Sequence, residues 1–387
     1  MRSVEVVIIG AGVIGASVAY HLAKGGCRSV LVLERHREPG RGSTVRATGG
    51  FRAQFGSETN VRLSLLSREE LLRFEEELGV DPGYRPCGYL FLAGDEAQLE
   101  DLLKARDVQR AAGLTETRAV TPSEAVDINP ATRAEGIVGG VFCPTDGFIR
   151  PMQILRGYVE SAERLGVRYE YGVEQTGFRM GESDRILTVR TSGGEVAAGS
   201  VVNAAGAWAA AVAREAGLDL PVEPLRRQVA VTHPFDALPE EMPMTIFAED
   251  GFHFRVRDGR VLLLWPDEPE VADPFDEGVD EGWLEAVVGM ARSHVPCLRH
   301  ASIDREGCWA GLYEMSPDGH ALLGRAPGVE NLYLANGSSG HGVMHAPALG
   351  QLLAEIIVGG GDRGFEAHAL RPSRFAEDEP NLGLELL

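Results

Sequence analysis

Three glycines, Gly10, Gly12 and Gly15, are spaced as G-x-G-x-x-G inside VEVVIIGAGVIGASVAYHLA, and an acid, Glu34, ends the apolar run SVLVLE about 20 residues further on. The first glycine permits a tight turn, the second admits a pyrophosphate and the third lets a helix approach a strand. An acid at that distance can accept hydrogen bonds from ribose hydroxyls and repels a 2′-phosphate. A second stretch, NLYLANGSSGHGVMHAPALGQLLAEII from Asn331, runs a short apolar strand into a glycine-rich turn and then a helix. Such a turn aims backbone N–H groups and a positive helix end at one spot, which suits an anion. The chemistry these residues allow is the binding of a dinucleotide at one end of the chain and of negative charge at the other.

Other readings of the same residues are weaker. His341 and His345 have the i, i+4 spacing of a zinc helix, but HGVMH lacks the glutamate of His-Glu-x-x-His and starts inside the turn. Neither Ser338 nor Ser339 has glycines at both −2 and +2, as a hydrolase nucleophile elbow requires. The five cysteines, Cys27, Cys87, Cys143, Cys297 and Cys308, are scattered without a Cys-x-x-Cys pair, and read as reduced thiols in a cytoplasm. With 57 acidic against 37 basic residues, the net charge of −20 opposes nucleic acid and anionic membranes. The N-terminal apolar stretch imitates a signal peptide, yet its spaced glycines and the strand that follows favour a folded βαβ unit. No segment reads as a membrane span.

The elements that must position these motifs follow from periodicity. Val4 to Ile9, a helix to about Lys24 and Ser29 to Glu34 form the βαβ unit. The segment RHREPGRGSTVRATGGFRAQFGSE reads as a long loop that wraps a ligand, before the helix REELLRFEEEL. GYLFLA alternates as a strand, and RQVAVTH, FHFRVR and RVLLLW are strand-like pieces between turns rich in Pro and Asp, followed by a helix in EGWLEAVVGMARSHV. The fold class expected is α/β: a Rossmann-like FAD-binding domain with a second, sheet-rich, mostly antiparallel substrate domain, discontinuously threaded. Residues 1–85, 146–222 and 306–387 are assigned to the first domain, and 86–145 with 223–305 to the second. NAD and FAD both fit the glycine motif. The long loop from Arg41 to Arg52 and the late NGSSGHG turn call for the longer ligand, an extended FAD whose reduced N1/C2=O edge meets the late helix terminus.

VVIIGAGVIGASVAYHLA, VVNAAGAWA, WAGLYEMSPDGHALLG and SGHGVMHAPALGQLLAE, in that order, resemble the D-amino acid oxidase and sarcosine oxidase family of flavoproteins, from residue 4 to about Arg374. GGFRAQFGSETNVRLS resembles in particular the sarcosine oxidase β-subunit and the related proline and dimethylglycine dehydrogenases. The resemblance implies oxidation of a carbon–nitrogen bond in a small secondary or tertiary amino acid by hydride transfer to flavin N5, with hydrolysis of the resulting imine. It implies Arg52 as the carboxylate anchor, Tyr313 as a pocket residue and His341 beside the flavin. Cofactor contacts are expected from Gly10, Gly12, Val13, Ile14 and Gly15; Glu34 and Arg35; Ser43, Thr44, Ala47, Thr48, Gly49 and Gly50; Val173; Ala205, Gly206 and Trp208; Gly311 and Leu312; and Gly340, His341, Gly342, Val343 and Met344.

Departures from the family pattern refine this. Gly311 stands where monomeric sarcosine oxidase attaches FAD through cysteine, which implies non-covalent FAD. Pro151 replaces the histidine that tethers a second flavin, FMN, in the heterotetrameric β-subunit. Met344 replaces a carboxylate-contacting lysine, and Lys24 and Lys104 are the only lysines. The electron acceptor is expected to be oxygen or a partner protein. A flavin-binding subunit active only in a hetero-oligomer, a glycine or D-amino acid oxidase activity, and an NAD-dependent dehydrogenase are the alternatives.

Overall fold

The computed structural model describes residues 2–266, 273–359 and 367–384. Its first sheet runs in the order Leu322–Arg325, Leu332–Asn336, Gly194–Asn203, Arg2–Ile9, Val30–Glu34 and Arg168–Tyr171. All of these neighbours pair parallel except the hairpin of Leu322–Arg325 with Leu332–Asn336. Val30–Glu34 is buried at every residue, the pattern of a strand covered on both faces, which explains its unbroken apolar run. On one face the helices Val13–Lys24, Glu58–Leu78, Pro151–Arg164 and Gly342–Val358 close a large apolar core. The antiparallel ribbon Gln175–Met180 and Ile186–Thr191, with the short helix Ala209–Arg214, covers the other.

The second sheet has the order Trp309–Met315, Glu223–Val231, Arg260–Leu264, His253–Arg257, Met244–Phe247, Tyr89–Ala93, Gly139–Cys143 and Arg118–Val120. It is antiparallel apart from Met244–Phe247 beside Tyr89–Ala93. Alternation divides its faces. Phe254, Val256, Leu90 and Leu92 join Trp283, Leu284 and Val287 of helix Glu281–His294 in one core, while His253 and Arg255 face the loop after Arg41. The helix expected in REELLRFEEEL starts ten residues earlier, at Glu58, because Ser57 accepts from Asn60 N and caps it. Trp309–Met315, placed with the nucleotide-binding segments by the sequence division, pairs along its length with Glu223–Val231 in the second sheet. A strand alternating as AGLYEM carries no local mark of which sheet it joins; its partner, 80 or so residues away, decides.

Candidate active site

The glycine turn closes as its spacing predicts. Gly10 sits at φ +107°, where a Cβ would collide with Ala204 O, and a Cβ on Gly15 would collide with Gly10 O. A Cβ on Gly12 would meet Thr44 Oγ1 at 3.5 Å, in front of helix Val13–Lys24, whose N-cap residue has no side chain to cap it. Glu34 Oε2 accepts from Ala11 N at 2.9 Å and its Oε1 from His36 N at 2.9 Å, which ties the end of the second strand to the turn. Arg35 stacks on Trp208, 3.8 Å from the ring centroid.

The long loop is held from both sides. Val13 N donates to Thr44 Oγ1 at 3.1 Å, Ser43 Oγ to Leu312 O at 2.7 Å and Trp309 Nε1 to Arg46 O at 2.8 Å. Arg255 Nη1 donates to the carbonyls of Thr48 and Gly49. Thus the second sheet presses the loop onto the first, and a cavity of about 550 Å³ runs between them.

Every site residue expected from the sequence lines this cavity except Gly15, which lies beneath the turn. Gly10, Gly12, Val13, Ile14, Glu34, Arg35, Val173, Ala205, Gly206 and Trp208 line it, as do Ser43, Thr44, Ala47, Thr48, Gly49 and Gly50 of the long loop. Gly311, Leu312, Tyr313, Gly340, His341, Gly342, Val343, Met344 and Arg52 line it too, with Gly342 facing Ile14. The cavity also takes in Arg46, Glu314 and Ser338, which lie within the quoted stretches, and Tyr89, Arg227, Met244, Ile246 and His253, which no local motif marks. The sequence leaves Tyr89, Phe252 and His253 open between pocket lining and core; Tyr89 and His253 line the cavity, and Phe252, on the opposite face, is fully buried core. Lys24 and Lys104 are paired on outer helix faces with Glu77 and with Glu100 and Asp101, away from the cavity.

Arg52 is 6 % exposed. Its Nη1 donates to Gln54 O at 2.9 Å, its Nη2 lies 3.4 Å from His341 Nε2, and its guanidinium stands 4.2 Å from the Phe55 ring centroid. Among the described residues no carboxylate forms an ion pair with it. Burial pulls its pKa down, yet a guanidinium stays charged, so the cavity holds a desolvated cation awaiting an anion. Because Arg52 only donates, His341 Nε2 is the acceptor and Nδ1 carries the hydrogen. That Nδ1 is buried without a partner. Burial and then the Arg52 charge hold His341 well below the usual imidazole range, hence neutral. The ring also packs edge-on against Phe55, with centroids 4.7 Å apart.

Asp146 fixes the Arg52 loop by accepting from Ala53 N at 2.8 Å and Gln54 Nε2 at 3.1 Å, while burial raises its pKa to about 6. Glu314 is 7 % exposed; Oε1 accepts from Ser338 N, Oε2 has no partner, and burial raises its pKa to about 7. Tyr313, 37 % exposed, covers Gly340, where a Cβ would collide with its ring.

An extended FAD fits these residues. The helix N-termini after Gly12 and His341 open on one cavity, the first with Val13 N donating to Thr44 Oγ1, and the buried Ser338 Oγ and His341 Nδ1 are polar groups at the late turn. Gly12 leaves room for a pyrophosphate, and Glu34 stands at the ribose end. In contrast, a Cβ on Gly311 would lie 2.6 Å from Arg46 Cβ, so a tethering side chain there has no room.

Comparison with known proteins agrees. The chain is 32% identical to FAD-dependent oxidoreductase domain-containing protein 1 of Xenopus laevis, over 98% of this chain and 84% of that protein. It is 31% identical to mitochondrial dimethylglycine dehydrogenase of Rattus norvegicus, covering 96% of this chain and 45% of the relative, so it spans about half of that longer protein. The solved structure of L-proline dehydrogenase from P. horikoshii superposes with a TM-score of 0.90 at 30% identity, over 98% of this chain and 100% of that one. Glycine oxidase from Geobacillus kaustophilus superposes at 0.84 and 27% identity, over 97% and 99% of the two chains. The family described as DAO, FAD dependent oxidoreductase, matches residues 5–356, and the chain belongs to it.

Proposed function

We propose that this chain oxidises the C–N bond of a small secondary or tertiary amino acid, of the sarcosine, dimethylglycine or proline type, to an imine that water then hydrolyses. The observation that carries this reading is Arg52, a buried guanidinium on the cavity wall with no carboxylate partner among the described residues. A substrate carboxylate supplies the missing anion, and two parallel N–H···O bonds would fix its orientation. His341, neutral and bonded to Arg52, holds the fork in place. Tyr313 closes the pocket from the second sheet, and its hydrocarbon ring suits an N-alkyl group better than a charged side chain would. FAD, when bound non-covalently, supplies the acceptor for the hydride. The protein's contribution is to bind, orient and keep water from the reacting carbon.

The division of the chain into an FAD-binding part and a substrate part is part of this reading, with the cavity between the sheets as their meeting place. Oxygen or an acceptor protein would then take up the electrons. Among the described residues no helix is long and apolar enough to cross a membrane. The test is a visible spectrum of the purified protein, repeated without air after adding sarcosine, dimethylglycine, proline and glycine in turn. Bleaching by an N-alkylated or cyclic substrate supports the reading. Bleaching by glycine alone favours the glycine oxidase type, and a flavin that none of them reduces refutes the reading.

A further inference from the structure

An amino acid at neutral pH arrives as an ammonium, and a hydride cannot leave a carbon bonded to nitrogen until the nitrogen lone pair is free to form the C=N bond. One N–H proton therefore has to go somewhere before oxidation. Neither Arg52 nor His341 can take it: the first is a cation, and the lone pair of the second is engaged by the first.

His253 differs from both. It lies on the strand His253–Arg257, on the face turned to the cavity. Its Nδ1 is 2.8 Å from Gly251 O, and a carbonyl can only accept, so Nδ1 carries the hydrogen. In the neutral ring the lone pair is then on Nε2, which has no hydrogen-bond partner among the described residues. Its neighbours across the sheet, Ile246 and Leu264, are apolar. Of the charged groups, Arg52 and Arg227 reach it, while Arg255 on the same strand is spent on the carbonyls of Thr48 and Gly49. The phenols of Tyr89 and Tyr313 and the carboxyl of Glu314 also line the cavity.

We infer that His253 Nε2 is the proton acceptor for the substrate ammonium once the carboxylate is docked on Arg52. The ammonium N–H bond breaks, an Nε2–H bond forms, and the nitrogen keeps the electron pair. A C–H pair on a carbon bonded to that nitrogen would then leave as hydride to the FAD of the family's established chemistry, and the amine lone pair would close the C=N bond.

Burial, with Arg52 and Arg227 opposing a further positive charge, lowers the His253 pKa to about 4 in the empty pocket. Substrate binding moves the two partners toward each other. The carboxylate neutralises Arg52, which raises the basicity of His253. Burial beside Arg227 lowers that of the amine.

This inference rests on the proposed amine oxidation, so its experiment separates the two. The probe is whichever of sarcosine, dimethylglycine or proline reduces the wild-type flavin fastest in anaerobic stopped flow; reduction by none refutes the parent reading. His253→Gln keeps a hydrogen-bonding group but cannot take a proton, and His253→Asn guards against a variant that fails to fold. At neutral pH the variants are expected to reduce at least tenfold more slowly, with the deficit shrinking at high pH as free amine becomes available. Their apparent kinetic pKa should move up toward that of the free amine. Binding of acetate, read from the flavin spectrum, should change less than twofold. An unchanged pH profile, or a rate deficit that persists at high pH, overturns the role of His253.

A second readout needs no variant. In the wild-type holoenzyme with 15N-labelled histidines, dimethylglycine bound to the reduced, non-turning-over form should shift one imidazole to the protonated pattern, and betaine, which has no N–H, should not. The same response to both ligands counts against the assignment.

Discussion

Replacing Glu314 by glutamine removes a carboxyl that the fold keeps from ionising, and the consequence for stability has a definite sign. Burial raises its pKa from 4.5 to about 7, outweighing the hydrogen bonds from Ser338 and the Gly337 backbone that pull it down. Between these two values the folded protein holds a proton that the unfolded chain has released. Stability therefore falls as pH rises from 4.5 through about 7, and levels off above. A displacement of roughly 2.5 units at about 1.4 kcal/mol each gives a loss on the order of 3 kcal/mol. Glutamine is an isostere of the protonated acid and has no such slope. The difference in unfolding free energy, variant minus wild type, should thus grow by about 3 kcal/mol between about pH 4 and about pH 8.5 in favour of the variant. Urea unfolding of both proteins at one fixed excess of FAD, followed by tryptophan fluorescence across this range, measures it. Groups titrating alike in both, such as Asp146, cancel. Stability curves that run parallel at all pH values would refute the claim that Glu314 is neutral in the fold.

Arg52→Ala should cost about 3 kcal/mol in kcat/KM, on the order of a hundredfold, through loss of carboxylate binding, and Arg52→Lys less; titrating the flavin spectrum with acetate separates binding from chemistry. Gly340→Ala combines a strained φ of +86° with collision against the Tyr313 ring, whereas Gly359→Ala shares a φ of +82° with nothing within 4 Å. Only the first should loosen FAD and shift its spectrum, and both should lose about 1 kcal/mol or more in thermal unfolding. Acid precipitation should release all the yellow colour into the supernatant, because no side chain at Gly311 can reach a flavin past Arg46; colour retained in the pellet would contradict non-covalent binding.

What could be read along the chain was what short-range geometry controls. G-x-G-x-x-G needs a turn at φ +107° on Gly10 and a side-chain-free contact at Gly15, and Glu34 ends the next strand; these demands fall within one βαβ unit. The strand, turn and helix around NGSSGHG are equally local. Arg52 was legible only by resemblance, since an arginine in an irregular loop has no pattern of its own. Tertiary structure decided the rest. It brought Arg52, His253, Tyr313, Glu314 and His341 to one cavity from separate elements. It also moved Trp309–Met315 into the second sheet through pairing with Glu223–Val231. The protonation states of His253, Glu314 and His341 arise the same way, because desolvation depends on what packs around a group. Residues hundreds of positions apart supply that packing, so the sequence alone determined the cofactor cradle, and only the assembled sheets determined the chemistry beside it.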